Sequence, residues 1–334
     1  MARLLTVILN WRSHEMTLRA AEAALTAQSG LDAALVIVDN DSGDGSFEAL
    51  TQAVAARGWD LGPHPLRVVQ SGRNGGFGAG NNFGMKLAMP DGRPPDFYYI
   101  LNSDAFPEPA AIKALYDHLI AHPETGFAGS YIYGEDGTPH RTAFRFPSIC
   151  SEFEAQIRFG PVSRILQQSI VAQPIPEATQ SVDWLAGASL MMRAEVIEDI
   201  GFFDETFFLY FEETDLCRRA ALAGWRTDFV KESRVMHIGS VSTGLREWQR
   251  IPQFWLDSRL HYFLKNHGVA YTTAATLALL AGGLLWRARL LIQRKDRGDP
   301  PRYLRDLTAH HLAATLKRRG GKSRDGAAFL EARK

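Results

Sequence analysis

Ala34-Leu35-Val36-Ile37-Val38-Asp39-Asn40-Asp41-Ser42-Gly43-Asp44-Gly45-Ser46 is the stretch that decides the fold. Its apolar start runs without alternation, the pattern of a strand buried on both faces. Turn residues follow at once, and Ser46–Arg57 then reads as a helix. Strand, polar loop and helix make half of a βαβ unit. The same order recurs on both sides. Leu4–Leu9 is a strand and Glu15–Gln28 a helix with Ser13 placed as its N-cap. Leu66–Gln70 precedes a helix over Gly78–Met89, and Phe97–Leu101 precedes one over Pro109–Ala121. This alternation predicts an α/β fold, a mainly parallel sheet flanked by helices with right-handed crossovers.

The second half is less regular. Residues 131–180 are rich in turn signals and Gln, and read as a variable loop or small subdomain. Asp215–Ala223 is a helix closed by Gly224. Arg246–Asn266 is a helix candidate rich in aromatics. Residues 269–286 carry no charge, and Arg287, Arg289, Arg294, Lys295 and Arg297 follow. A span needs roughly 20 apolar residues. This segment is shorter and holds Thr272, Thr273, Thr276 and a Gly282-Gly283 pair. A helix lying in or on a membrane surface, helped by anionic lipid, is the leading reading, ahead of a buried core helix and of a span. The tail after Gly320 reads as a mobile terminus. The chain therefore divides into 1–245, which carries the loops discussed below, and a helical, membrane-associating region, 246–334.

Composition narrows the classes. The 334 residues hold 37 basic and 37 acidic side chains, so the net charge is zero, and this argues against a protein built to coat nucleic acid. Cys150 and Cys217 make neither a disulfide framework nor a zinc spacing, which fits a reduced cytoplasmic compartment. The apolar start Met1–Asn10 is too short for a signal peptide and reads as a first strand.

Ligands of open α/β sheets bind beyond the carboxyl ends of strands, and four polar loops fall there. The first follows Val38: Asp39 at the strand end can accept hydrogen bonds from a ribose or base, although Asp, Asn, Gly and Ser also make ordinary turns. The second is Arg73-Asn74-Gly75-Gly76-Phe77-Gly78-Ala79-Gly80-Asn81-Asn82-Phe83-Gly84. Its glycines let backbone N–H groups approach a phosphate, but no G-x-G-x-x-G or P-loop spacing is present. That argues against a dinucleotide oxidoreductase and a P-loop NTPase, while close helix–strand packing stays open. The third is Asn102-Ser103-Asp104, where a carboxylate can hold Mg²⁺ or Mn²⁺ against a diphosphate. The fourth runs from Phe203-Asp204-Glu205 to Phe211-Glu212-Glu213-Thr214-Asp215. Apolar walls there raise a carboxylate pKa and make it a better base. Adjacent acids on an extended segment face opposite sides, so one of the two points at a substrate. A helix N-terminus that favours acids is the plainer alternative. Asp215 and Arg219 are spaced to pair. Trp184 in Trp184-Leu185-Ala186-Gly187-Ala188 can stack on a sugar or serve the core. His237 suits Mn²⁺ if a metal site exists nearby.

Taken together, these segments resemble the family 2 glycosyltransferases, particularly bacterial rhamnosyltransferase-like members. The pieces that carry the resemblance are Asn10-Trp11, Val38-Asp39-Asn40-Asp41-Ser42, Asn74-Gly75-Gly76-Phe77-Gly78 with Asn81, Leu101-Asn102-Ser103-Asp104, Trp184–Ala188, and Phe203-Asp204-Glu205 leading into Phe211–Leu216. They span roughly residues 4–245. The resemblance implies a nucleotide-diphospho-sugar transferase fold of the GT-A type and an inverting, Mg²⁺- or Mn²⁺-assisted transfer. Asn10, Asp39, Asp41, Asn74, Gly75, Asn102, Asp104 and Trp184 would then line the nucleotide-sugar site. Asp104 and His237 would be metal ligands. Glu213 would be the base, with Glu212 the other candidate. Two departures stand out: Asn102 replaces the first acid of the common Asp-x-Asp, and Glu213 stands where Asp is frequent. The implied donor is dTDP-rhamnose. The implied acceptor is a saccharide or lipid-linked saccharide for a cell-surface glycan, met at the inner face of the cell membrane. A nucleotidyltransferase lacks its phosphate-gripping start here, since residues 10–16 offer no Gly-rich basic loop. A non-catalytic nucleotide-sugar-binding protein is the remaining alternative.

Overall fold

The computed structural model describes residues 2–61, 65–239, 250–295, 300, 302–314 and 316. It divides into two compact units, residues 1–146 with 171–246, and residues 147–170 with 247–334.

In chain order the first unit runs β1 (Arg3–Asn10), α1 (His14–Ala27), β2 (Asp32–Asp39), α2 (Ser46–Ala56), β3 (Leu66–Gln70), α3 (Gly76–Met85), β4 (Phe97–Asn102), β5 (Ala105–Pro107), α4 (Ala111–Ala121), β6 (Thr125–Tyr133) and β7 (Ala143–Phe144). α5 (Ile149–Ile157) and α6 (Gly160–Ile165) fall in the second unit. The first resumes with β8 (Gln180–Val182), β9 (Trp184–Leu185), β10 (Ser189–Arg193), α7 (Ala194–Ile200), α8 (Glu212–Leu222) and β11 (Arg226–His237).

The main sheet has the order β3-β2-β1-β4-β10-β6-β11-β5, with β8 on β11, and β7 pairs β9 separately. β3, β2, β1 and β4 are parallel neighbours. β10 runs antiparallel between β4 and β6, and β6 and β11 are parallel again. The result is a mixed sheet whose parallel half matches the expected βαβ order. Alternation along β1 builds both cores: Leu4 and Ile8 join the layer under α1 and α4, while Leu5 and Val7 join the layer that includes Met85 of α3. α3 lies unusually close to the sheet. A Cβ on Gly80 would sit 2.4 Å from Leu9 Cδ1, and one on Gly84 2.6 Å from Val7 Cγ1. Close helix–strand packing therefore accounts for those two glycines.

The second unit is helical. α9 (Gln253–Gln293) breaks at Gly268, whose φ of 78° and ψ of 178° are not helical. A further helix, α10 (303–314), follows. The expected helix start at 246–249, Arg297 and the tail after Gly320 lie outside the described residues. Arg259 is buried and bonds Glu152 of α5 and Thr276. By length and composition α9 could cross a membrane.

Candidate active site

The parallel strands deliver their carboxyl ends to one edge, and the register sets the residues side by side: Asn10 opposite Asp39, and Leu9 opposite Asn102. Asp39 is fully buried. It accepts hydrogen bonds from Asn10 Nδ2 (2.8 Å), Ser42 Oγ (2.5 Å) and Ser42 N (3.2 Å). Asn10 Oδ1 in turn accepts from Thr17 Oγ1 at 2.7 Å. Asn10 and Asp39 thus brace each other and the loop. Asp41 beside them is exposed, with φ of 58°.

The second loop is tied to the first. Asn40 Nδ2 donates to Asn74 Oδ1 (3.1 Å) and to the Gly76 carbonyl (3.2 Å). Asn74 Oδ1 also caps the Gly76 N–H, so Asn74 and Gly75 open α3. Gly76 has φ of 87°, and a Cβ there would lie 1.9 Å from the Phe208 carbonyl oxygen, which accepts from Phe77 N at 2.9 Å. Only glycine fits. Asn82 clamps the fourth loop, donating to the Phe203 carbonyl (2.9 Å) and accepting from Phe203 N (3.0 Å). Arg73 pairs with Glu205 at 2.8 Å.

The acid pair lies where these loops meet. Tyr210 and Phe211 take φ of 69° and 71°, a left-handed step that costs about 1–2 kcal/mol per residue and turns the chain into α8. Glu212 and Glu213 are therefore the first two helical residues, not an extended pair, and they diverge around the helix. A Cβ on Gly78 of α3 would lie 3.7 Å from Glu212 Cβ. A Cβ on Gly187 would lie 4.0 Å from Glu213 Oε1 and 3.2 Å from the Phe77 ring, and the Gly187 backbone N–H bonds the Glu213 carboxylate. Glu212 is buried and Glu213 half-buried, yet one oxygen of each, Oε2, is enclosed with no hydrogen-bond partner. Burial, and then the charge of Glu213, pushes the Glu212 carboxyl well above the usual carboxylate range. Burial also raises Glu213, against opposing bonds from its own N–H and that of Gly187. The expected pair of Asp215 with Arg219 forms at 2.9 Å, and Arg219 also bonds the carbonyls of Ile200, Gly201 and Phe202.

Asp104 forms the other centre. His237 Nε2 is 3.0 Å from Asp104 Oδ1 and 3.3 Å from Asn102 Nδ2, and Gly239 N donates to Asp104 Oδ2 at 3.2 Å. An Nε2–H given to Asp104 leaves the Asn102 amide N–H with nothing to bond on that ring nitrogen. A divalent cation held by His237 and Asp104 would remove this conflict, and the Asn102 amide could then offer its oxygen. Among the described residues no group of three or more His, Cys, Asp or Glu could hold a metal. Such a small protein donor set fits Mg²⁺ or Mn²⁺, which often take one or two carboxylates and let substrate phosphates fill the rest.

The two centres are neighbours. Asn102 N donates to the Ala188 carbonyl, and the preceding Gly187 holds Glu213. On the other side Ser13 Oγ reaches Ser103 Oγ at 3.4 Å, and Asn40 N donates to the Asn10 carbonyl. Asp39, Asp104, His237 and Glu213 thus belong to one ring of linked loops. Trp184 stands apart in role. Its indole stacks on Phe144 at 4.2 Å and donates to the Arg145 carbonyl, so one face and the N–H are already used. Ser42, Phe77, Asn82 and Gly187 stand within the quoted motifs without an individual role there, and the structure places all four at the site. The doubled Asn81-Asn82 was the available signal for the clamp; a backbone N–H such as that of Gly187 leaves none.

A sheet of this order with acids at its strand ends defines a nucleotide-sugar-type transferase fold. The family model for glycosyl transferase family 2 matches residues 7–174, and that for glycosyl transferase family group 2 matches 99–309. The chain belongs to glycosyl transferase family 2 and is a glycosyltransferase. It is 26% identical over 300 residues to the N-acetylglucosaminyl-diphospho-decaprenol L-rhamnosyltransferase of Mycobacterium tuberculosis, covering 86% of this chain and 93% of that one. It is 28% identical over 170 residues to rhamnosyltransferase WbbL of Escherichia coli, covering 48% and 60%. Among solved structures it is similar to the mannosyltransferase PcManGT of Pyrobaculum calidifontis in complex with GDP-Man and Mn²⁺ (TM-score 0.56, 15% identity, 94% of this chain and 81% of that one). It is also similar to GalNAc-T7 with UDP, GalNAc and Mn²⁺ (TM-score 0.55, 14% identity, 93% and 54%). These likenesses establish the GT-A fold expected from the sequence.

Proposed function

We propose that the chain transfers rhamnose from dTDP-rhamnose to a hydroxyl of a lipid-linked saccharide, with inversion, at the inner face of the cell membrane. The catalytic part lies within residues 1–245, from which 147–170 group with the membrane-associating part, 246–334. Two relatives named as rhamnosyltransferases, one acting on a diphospho-decaprenol, support the donor and acceptor. The observation that carries the mechanism is the placement of Glu213: an enclosed carboxylate oxygen without a partner, on a side chain steadied by the Gly187 N–H.

Glu213 takes the proton of the acceptor hydroxyl. The acceptor oxygen bonds the anomeric carbon as the carbon–oxygen bond to the nucleoside diphosphate breaks on the opposite face, and this single displacement inverts the centre. The raised carboxyl pKa makes Glu213 a stronger base than a solvated glutamate. Burial and the neighbouring Glu213 both push the Glu212 carboxyl upward, which disfavours a second negative charge beside the base. Asp104 and His237, with Asn102, would hold Mg²⁺ or Mn²⁺, which when bound neutralises charge on the departing diphosphate. Asn10, Asp39 and Asp41 shape the nucleoside end, while Asn74 and Gly75 present the start of α3. Trp184, half-buried beside Phe144, stays the candidate for stacking on the donor sugar.

The test is transfer with a panel of nucleotide sugars and Mn²⁺, followed by the anomeric configuration of the product. dTDP-rhamnose as the preferred donor and an inverted product are expected. Preference for another donor overturns the rhamnose reading, and a retained configuration overturns the single displacement.

A further inference from the structure

The outer side of α9 is apolar where a water-facing helix is normally polar. Beyond the Gly268 break the leg 269–293 is about 37 Å long at ~1.5 Å per residue. Leu277 (60% exposed), Leu284 (61%), Leu285 (54%), Leu291 (69%) and Ile292 (84%) recur at helical spacing along one side. Ala281 and Ala288, also exposed, fill the gaps. Leu312 of α10 adds to this surface (56%), and an open apolar trough of about 450 Å³ between the two helices joins Leu280 and Leu284 to Leu304 and Leu312. Single exposed leucines need no explanation, but a contiguous stripe does.

Charge identifies what covers it. From Ser258 to Lys295 the chain has six Lys or Arg and no Asp or Glu. One of them, Arg259, is internally paired with Glu152. Arg158 of this unit lies 4.1 Å over the Trp286 ring and Arg289 5.0 Å over Phe159, which is itself exposed. Cations resting on aromatic rings beside an apolar stripe are the arrangement of a membrane–water boundary. A span is disfavoured by the inner side of the same leg. Gly282 packs so tightly on α5 that a Cβ would lie 2.6 Å from the Phe153 carbonyl oxygen. Threading this leg through a bilayer would drag Glu152, Glu154 and the Arg259 ion pair into hydrocarbon.

We propose that the second unit docks in the plane of one leaflet of an anionic bilayer, inserting Leu277, Leu284, Leu285, Leu291, Ile292 and Leu312. The proposal specifies the surface and mode of the membrane contact in the acceptor reading above and rests on that reading. The test uses the full chain and two kinds of vesicle: phosphatidylcholine with phosphatidylglycerol, and phosphatidylcholine alone. The wild type sediments with the anionic vesicles, more weakly with neutral ones, and is released by alkaline extraction. The double variant Leu284→Glu/Leu291→Glu loses anionic-vesicle binding by about tenfold or more while keeping its melting curve and its dTDP affinity. Wild-type chain that ignores both vesicles, or a variant that binds as well as wild type, overturns the proposal. Resistance to alkaline extraction overturns the in-plane mode. A variant that only converts a dimer to a monomer makes a second copy of the chain the occupant. Loss of dTDP binding in the wild type strikes the donor reading instead, and vesicle binding does not depend on it.

Discussion

Gly76→Ala tests whether the Gly-rich loop and the acid loop form one unit. A methyl group there meets two penalties. The left-handed φ of 87° costs an alanine about 1–2 kcal/mol. The Cβ would also lie 1.9 Å from the Phe208 carbonyl oxygen, so the 208–211 turn must move by more than 1 Å, an overpacking that costs about 1–3 kcal/mol. The total of about 2–5 kcal/mol lowers the melting temperature of a unit this size by roughly 4–20 °C. The same displacement moves Glu212 and Glu213, and a misplacement of ~1 Å lowers turnover about 10²-fold. Gly72→Ala is the control. Its φ of 76° carries the same conformational penalty, but nothing lies within 4 Å of its Cβ. Thermal unfolding and steady-state turnover of both variants separate the effects. Equal melting shifts for the two, or full turnover in Gly76→Ala, would refute the claim that Phe208 rests on this glycine.

Three further outcomes follow from the same geometry. The folded chain keeps a proton on buried Glu212 that the unfolded chain releases above its ordinary value of 4.5, so stability falls as pH rises toward the elevated folded value; Glu212→Gln removes this, and urea titrations should show it gaining on wild type at about pH 8 but not at about pH 4. Asp104→Ala should abolish the Mn²⁺-dependent part of donor binding in calorimetry, and an unchanged Mn²⁺ dependence would remove Asp104 from the metal site. A thiol reagent should modify exposed Cys150 in the native chain and Cys217 only on unfolding, because burial pushes the Cys217 thiol up to about 12.

The legible part of the fold was the parallel half. Leu4–Leu9, Ala34–Val38, Leu66–Gln70 and Phe97–Leu101 announce themselves because strands buried on both faces are unbroken apolar runs, and all four appear within two residues of those bounds. β11 escaped notice because Lys231, Glu232 and Arg234 interrupt it, at a register irregularity between Val230 and Arg234. β10 is only Ser189–Arg193, too short a run to stand out as a strand. Residues 147–170, read from sequence as part of a loop or subdomain, hold two α-helices and a short 3-10 turn that group with the C-terminal segment. In the site, Asp39, Asp104 and Glu213 were legible because acids directly after strands or before a helix are conspicuous. The orientation of Glu212 and Glu213 was not: two consecutive left-handed aromatic residues, Tyr210 and Phe211, start the helix earlier than propensity suggests, and neighbouring loops over-determine that turn.

The most direct measurement is a rapid-mixing single turnover of Glu213→Gln beside wild type, with donor affinity determined on the same samples. Glutamine keeps the shape of the side chain and removes the base, so the account predicts a chemical step slower by about 10²–10⁴-fold with unchanged donor affinity. A single-turnover rate within about twofold of wild type would contradict it.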